Sequence, residues 1–146
     1  MAIPDPMPDQ AWSRHANPYS GATRVLAGAA LLWALYRHAW LTLAAVIAFV
    51  ALNPVLFPEP KRTDNWLSEG VLGERAWIAD GNPMFGTGYP EALNALNVPL
   101  YCYTLHSAYR QYPLRTVAGF VVTFALKLLF VDEMARYYRG RDGRVR

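Results

Sequence analysis

The sequence contains a single cysteine, Cys102, which excludes an intrachain disulfide and a multi-cysteine metal site. It has only three histidines, nothing spaced like HExxH, no cofactor motif and no complete catalytic set. Charge is scarce too: 17% of residues are charged, against roughly 25% in soluble domains. The basic residues do not make a nucleic-acid surface, because the arginines of the closing YYRGRDGRVR have no folded domain to present them. Clusters of that kind beside an apolar segment answer to lipid head groups, so membrane lipid is the expected partner and nucleic acid is not.

Apolar residues are abundant and clustered. They make up 53% of the chain, and the mean hydropathy of +0.06 averages long greasy runs against polar segments. Ala39 to Phe57 is nineteen residues without a charge, against the roughly 20 that a spanning helix needs. Thr116 to Val131 is broken only by Lys127, and Pro18 to Tyr36 reaches spanning length if Arg24 extends its head group into the interface. Ala92 to Tyr109 carries two asparagines, Pro99 and His106, which a helix packed among others can hold. The fold expectation is all-α: an integral membrane protein of four transmembrane helices, at about 18–36, 39–57, 91–109 and 115–135, in one domain spanning 1–146. A tail (1–17), a loop (58–90) and a basic tail (136–146) complete it. The competing reading, a soluble bundle with a very greasy core, fits poorly with a charge-free run past the ~18-residue dividing line.

The first long apolar run follows Pro4, Pro6, Pro8 and Pro18, unlike a secretory signal, so a retained anchor is expected. Trp12 and Tyr19 are expected at the interface, where aromatic residues anchor helices, and Cys102 as a buried small hydrophobe. His38 sits in a very short turn, so the first two spans should form a tight hairpin. Asn53-Pro54 favours helix termination. The long loop holds four prolines and five glycines; it reads as irregular, with one interfacial helix over about 67–79. Ten basic residues fall on the side of the termini and the long loop, and three, Arg37, Arg110 and Arg115, on the other. The positive-inside rule then places both termini in the cytoplasm. No tandem repeat is convincing.

His15-Ala-Asn17-Pro18-Tyr19-Ser20-Gly21-Ala22-Thr23-Arg24 (HxNPxSxxTR), then Asn53-Pro54, then Gly70-Val-Leu-Gly73-Glu74-Arg75-Ala-Trp77 (GxxGExxW) form an ordered set of polar and glycine positions. Over about residues 12–78 the chain resembles an uncharacterised family of small multi-span prokaryotic membrane proteins. The resemblance implies a helical fold in the prokaryotic inner membrane and draws attention to the matched polar residues. It implies no activity and no cofactor.

With this orientation His15, Asn17, Ser20, Arg24, Asn53, Glu74 and Arg75 gather near the cytoplasmic interface. A histidine, a carboxylate and an arginine there could bind an anionic head group or act as base and charge clamp. The simpler reading is that Asn17 or Ser20 caps the first span, Arg24 meets head groups, and Glu74 pairs with Arg75 or Arg24. His38 and His106 fall near the opposite face; two imidazoles are too few for a closed metal site. Asn94, Asn97, Tyr101 and Thr104 share one helical face, and Thr116, Thr123 and Lys127 another. Facing stripes would line a polar pathway or, more simply, hydrogen-bond between helices, with Lys127 reaching the interface or Glu91. The functional expectation is a structural or accessory subunit of a larger membrane complex, partnered by lipids and other membrane subunits. The alternatives are an interfacial enzyme acting on a lipid or amphiphile, and a small channel or carrier.

Overall fold

A computed structural model describes residues 5–141 and residue 143; Pro4 and the tail arginines 144 and 146 lie outside them. Among the described residues the chain is all-helical, with no strand and six helices. These are α1 (Asp9–His15), α2 (Pro18–Tyr36), α3 (Trp40–Leu56), α4 (Trp66–Ala79), α5 (Glu91–Tyr109) and α6 (Pro113–Arg141). Local chemistry fixes several ends. Asn17 caps α2 by accepting from the Tyr19 amide (2.9 Å), with Pro18 in the first turn, where a missing N–H costs nothing. Asn65 caps α4 through the Ser68 amide (3.0 Å).

Each segment expected to span is helical, but only α6 is both long and apolar enough to cross a bilayer by length and composition. The four-span count is therefore not carried by the helices alone. α3 is apolar but has 17 residues, and α2 and α5 are diluted by Arg24 and by Asn94, Asn97, Pro99 and His106. α3 also continues two residues past Pro54 instead of ending at it.

α6 is the spine, packed against α5 along its first part and against α4 along its last; α2 packs on α3 and α5. Both contacts of α6 depend on small residues. A Cβ on Gly73 would overlap the Met134 carbonyl, one on Gly70 would lie 2.6 Å from Val131, and one on Gly119 would overlap the Thr104 hydroxyl. The helices thus touch backbone to backbone at Gly73 and backbone to side chain at Gly70 and Gly119, the close approach that glycine permits.

Two tiers result. In α2, α3, α5 and the first part of α6, large apolar side chains point outward: Leu41 is 86% and Leu114 84% exposed. The sole buried residue of α3 is Asn53. Buried positions in this tier are often polar or small, such as Ser20, Thr104, Ser107 and Thr123. The second tier, made of α1, α4 and the end of α6, has an ordinary apolar core of Trp12, Ala16, Val71 and Ile78. Trp12 is thus a core residue rather than an interface anchor, its indole donating to Asp5 (2.6 Å). Ion pairs rim this tier: Arg139–Glu69 (2.9 Å), Arg141–Asp80 (3.2 Å), Arg136–Asp132 (2.9 Å) and Arg75–Asp9. α4 is accordingly packed along α6 and α1, not laid flat as an isolated interfacial helix.

At the far end the α2–α3 turn (Tyr36-Arg37-His38) meets the α5–α6 turn (Tyr109-Arg110-Gln111). His38 Nε2 bonds the Tyr109 carbonyl (2.9 Å), and Gln111 Nε2 bonds the Tyr36 carbonyl (2.8 Å). His38 and Gln111 both have positive φ (51° and 57°), so each turn closes its helix in the same way.

Candidate functional site

The cytoplasmic-side cluster expected from the sequence is largely assembled, at the junction of the two tiers. α1 delivers His15, 7% exposed; α2 delivers Ser20 and Arg24; α3 delivers Asn53. Arg24 Nη1 lies 2.9 Å from His15 Nε2. A guanidinium can only donate, so Nε2 carries the lone pair and the proton sits on Nδ1. Nδ1–H then faces Ser20 Oγ (3.3 Å), whose hydroxyl donates to Asn53 Oδ1 (2.5 Å). Asn53 Nδ2 donates to Thr23 Oγ1 (3.1 Å), which ends the chain on the Tyr19 carbonyl (2.7 Å). Every member has a fixed direction, and Ser20 and Asn53 are both 0% exposed. Burial first, then the neighbouring charges of Arg24 and Lys127, lowers the His15 pKa from 6.5 to about 4, so the ring is neutral at ordinary pH.

Beside this chain is an enclosed cavity of about 90 Å3 lined by His15, Asn17, Arg24, Glu74 and Lys127 with Gly21, Leu67, Gly70, Val71 and Val131. Asn17 also donates to the Pro58 carbonyl (3.0 Å). Arg75 does not join the cluster; it pairs with Asp9 on the outer side of α4. Sequence reasoning missed Thr23, although it stands in the HxNPxSxxTR string. It put Lys127 in the intramembrane stripe, reaching the interface or Glu91; its ammonium lies over Phe130 (4.9 Å), and the residue lines the cavity. One turn of α6 separates Lys127 from Val131, whose side chain meets Gly70, and Lys127 shares the cavity lining with Glu74.

The stripes behave differently from expectation. Thr104, Thr116 and Thr123 each donate to the carbonyl four residues back in their own helix (2.8 Å) rather than between helices. Asn94 donates to the Met84 carbonyl (3.1 Å), while Asn97 Oδ1 is buried without a partner among the described residues, as is Arg24 Nε. Tyr101 lines a groove with Asn97 and Arg24. His38 uses its Nε2 on Tyr109 and stacks on Trp40 (5.5 Å), and His106 is exposed. Among the described residues no group of three or more His, Cys, Asp or Glu could hold a metal. Cys102 is exposed, because α5 turns Thr104, Ser107 and Ala108 inward and 102 falls on the opposite side.

The model of a family described as "Family of unknown function (DUF6653)" matches residues 1–142, well beyond the stretch that carried the resemblance. No curated protein and no solved structure matches the chain.

Proposed function

The chain belongs to this family of unknown function, and on that footing we propose that it is a four-span protein of the prokaryotic inner membrane. Both termini face the cytoplasm, and it serves as a small structural or accessory subunit of a larger membrane complex. The observation that carries the membrane reading is α3: seventeen residues, almost all apolar, whose one buried side chain is Asn53. A helix in the core of a soluble bundle would bury its leucines and expose its asparagine. α6 agrees, since only 17% of its apolar stretch is buried. At 1.5 Å per residue α2, α3 and α5 are roughly 26–29 Å long, close to the ~30 Å hydrocarbon core.

The choice of a non-catalytic role rests on His15. Both ring nitrogens are engaged, one by Arg24 and one by Ser20, so no lone pair is free to act as a general base. Ser20 is likewise enclosed and donates to Asn53. A pathway along the Asn94–Lys127 stripe draws less support, because its threonine hydroxyls are spent on their own helices. Extraction in mild detergent from native membranes tests the reading. The 16.4 kDa chain should migrate in a particle with defined companion polypeptides; a lone monomer or homodimer would overturn the subunit role.

A further inference from the structure

Two spaces meet at Arg24. The enclosed cavity shares Gly21, Arg24, Leu67, Lys127 and Val131 with an open groove of about 290 Å3 between α2, α5 and α6. Away from that shared wall the groove's lining includes Gly28, Phe120 and Phe124, with Asn97, Tyr101 and Thr123 as its polar members. Building on the membrane reading above, we propose that this groove holds one anionic phospholipid of the cytoplasmic leaflet. Its phosphate lies between Arg24 and Lys127, and one acyl chain runs along Gly28, Phe120 and Phe124.

Charge is the first reason. Arg24 and Lys127 are opposed by Glu74 alone, since His15 is neutral, which leaves one uncompensated positive charge at the shared wall. Such a charge within a membrane calls for a counter-ion. The second reason is unspent hydrogen bonding. Arg24 gives Nη1 to His15, but its Nε is buried without a partner among the described residues, as is the acceptor Asn97 Oδ1 on the facing helix. A phosphate oxygen satisfies the first and a glycerol hydroxyl of the head group the second. The third reason is polarity along the groove. Arg24 in α2 and Asn97 in α5 each lie roughly 9 Å from the start of their helix, in the cytoplasmic half of the proposed span. Gly28 comes one turn deeper, and in the antiparallel α6 Phe124 and Phe120 precede Lys127. The polar end thus faces the cytoplasm and the apolar end the bilayer centre, as a lipid of that leaflet lies. At about 290 Å3, at or below the small end of ligand pockets, the groove takes one chain and not two.

The test uses the full chain in neutral detergent, titrated with phosphatidylglycerol, phosphatidylcholine or inorganic phosphate. Bound lipid is counted by native mass spectrometry and stability by thermal unfolding. One phosphatidylglycerol should be retained per chain and should raise Tm, while phosphatidylcholine and phosphate should not. Lys127→Gln, which removes no ion pair, should weaken retention about tenfold. A Cβ on Gly28 has its nearest neighbour, Phe120, at 4.0 Å; Gly28→Leu should therefore fill the groove and abolish retention without lowering the lipid-free Tm. Equal retention of phosphatidylcholine, equal stabilisation by phosphate, or undiminished phosphatidylglycerol in both variants would overturn the site. A chain that stays in alkaline-washed membranes yet retains no lipid also overturns it while leaving the membrane reading intact; release of the chain by the wash removes both.

Discussion

At the scale of the residue, His15 sets the pH behaviour of the junction. Its pKa is near 4 in the fold and about 6.5 in an unfolded chain, so between those values the unfolded state binds more protons. Stability is therefore complete above about pH 6.5 and falls as pH drops toward 4, by up to about 3 kcal/mol. Thermal unfolding in detergent across pH 4–8 should show this slope for the native chain and a flatter one for His15→Gln. An unchanged slope would place the acid sensitivity elsewhere. Most of these residues could be read from the sequence because a short string, HxNPxSxxTR, puts His15, Ser20 and Arg24 within reach of one helix start. Lys127 could not be, since its place on the cavity wall depends on how α6 packs against the other helices, which no local spacing reveals.

Helices and turns carry a different lesson. Their positions follow from apolar runs and caps, and the starts of α2 and α5 agree with the expected 18 and 91 to the residue. How they pack does not follow. Gly70 and Gly73 fall within the interfacial helix expected over about 67–79, where no local signal marks them as contacts, yet they let α4 lie on α6. Gly73→Ala should therefore destabilise by about 1–3 kcal/mol through overpacking. Gly140→Ala, near the end of the same α6 with open space around it, should be neutral or stabilising by up to about 1 kcal/mol. Equal melting of the two variants would contradict the close approach. The turns make a second case. Removing one cross-turn bond with His38→Ala or Gln111→Ala should cost about 0.5–1.5 kcal/mol each, and His38→Gln, which keeps a side-chain donor, should restore part of it.

For the whole molecule, the proposed orientation rests on the distribution of basic residues. Asp9, Glu69, Asp80 and Asp132 and their arginine partners all lie in the tier formed by α1, α4 and the end of α6. The other end carries Arg37, Arg110 and Arg115 without a carboxylate in either turn. Reporters fused at both termini should be active only if they are of the cytoplasmic kind; a periplasm-active fusion after the last residue would invert the topology. The two turns at that other end have one more consequence. Each gives the other a side-chain donor from its third residue and takes that donor on the carbonyl of its tyrosine. That is the relation of two halves about a two-fold axis, an isologous contact held within one chain. The symmetry is approximate and local, and it is lost at the other tier, where only the second hairpin extends. Because the contact is reciprocal, loss of one donor side chain leaves the other bond standing, whereas displacing the backbone of either turn breaks both.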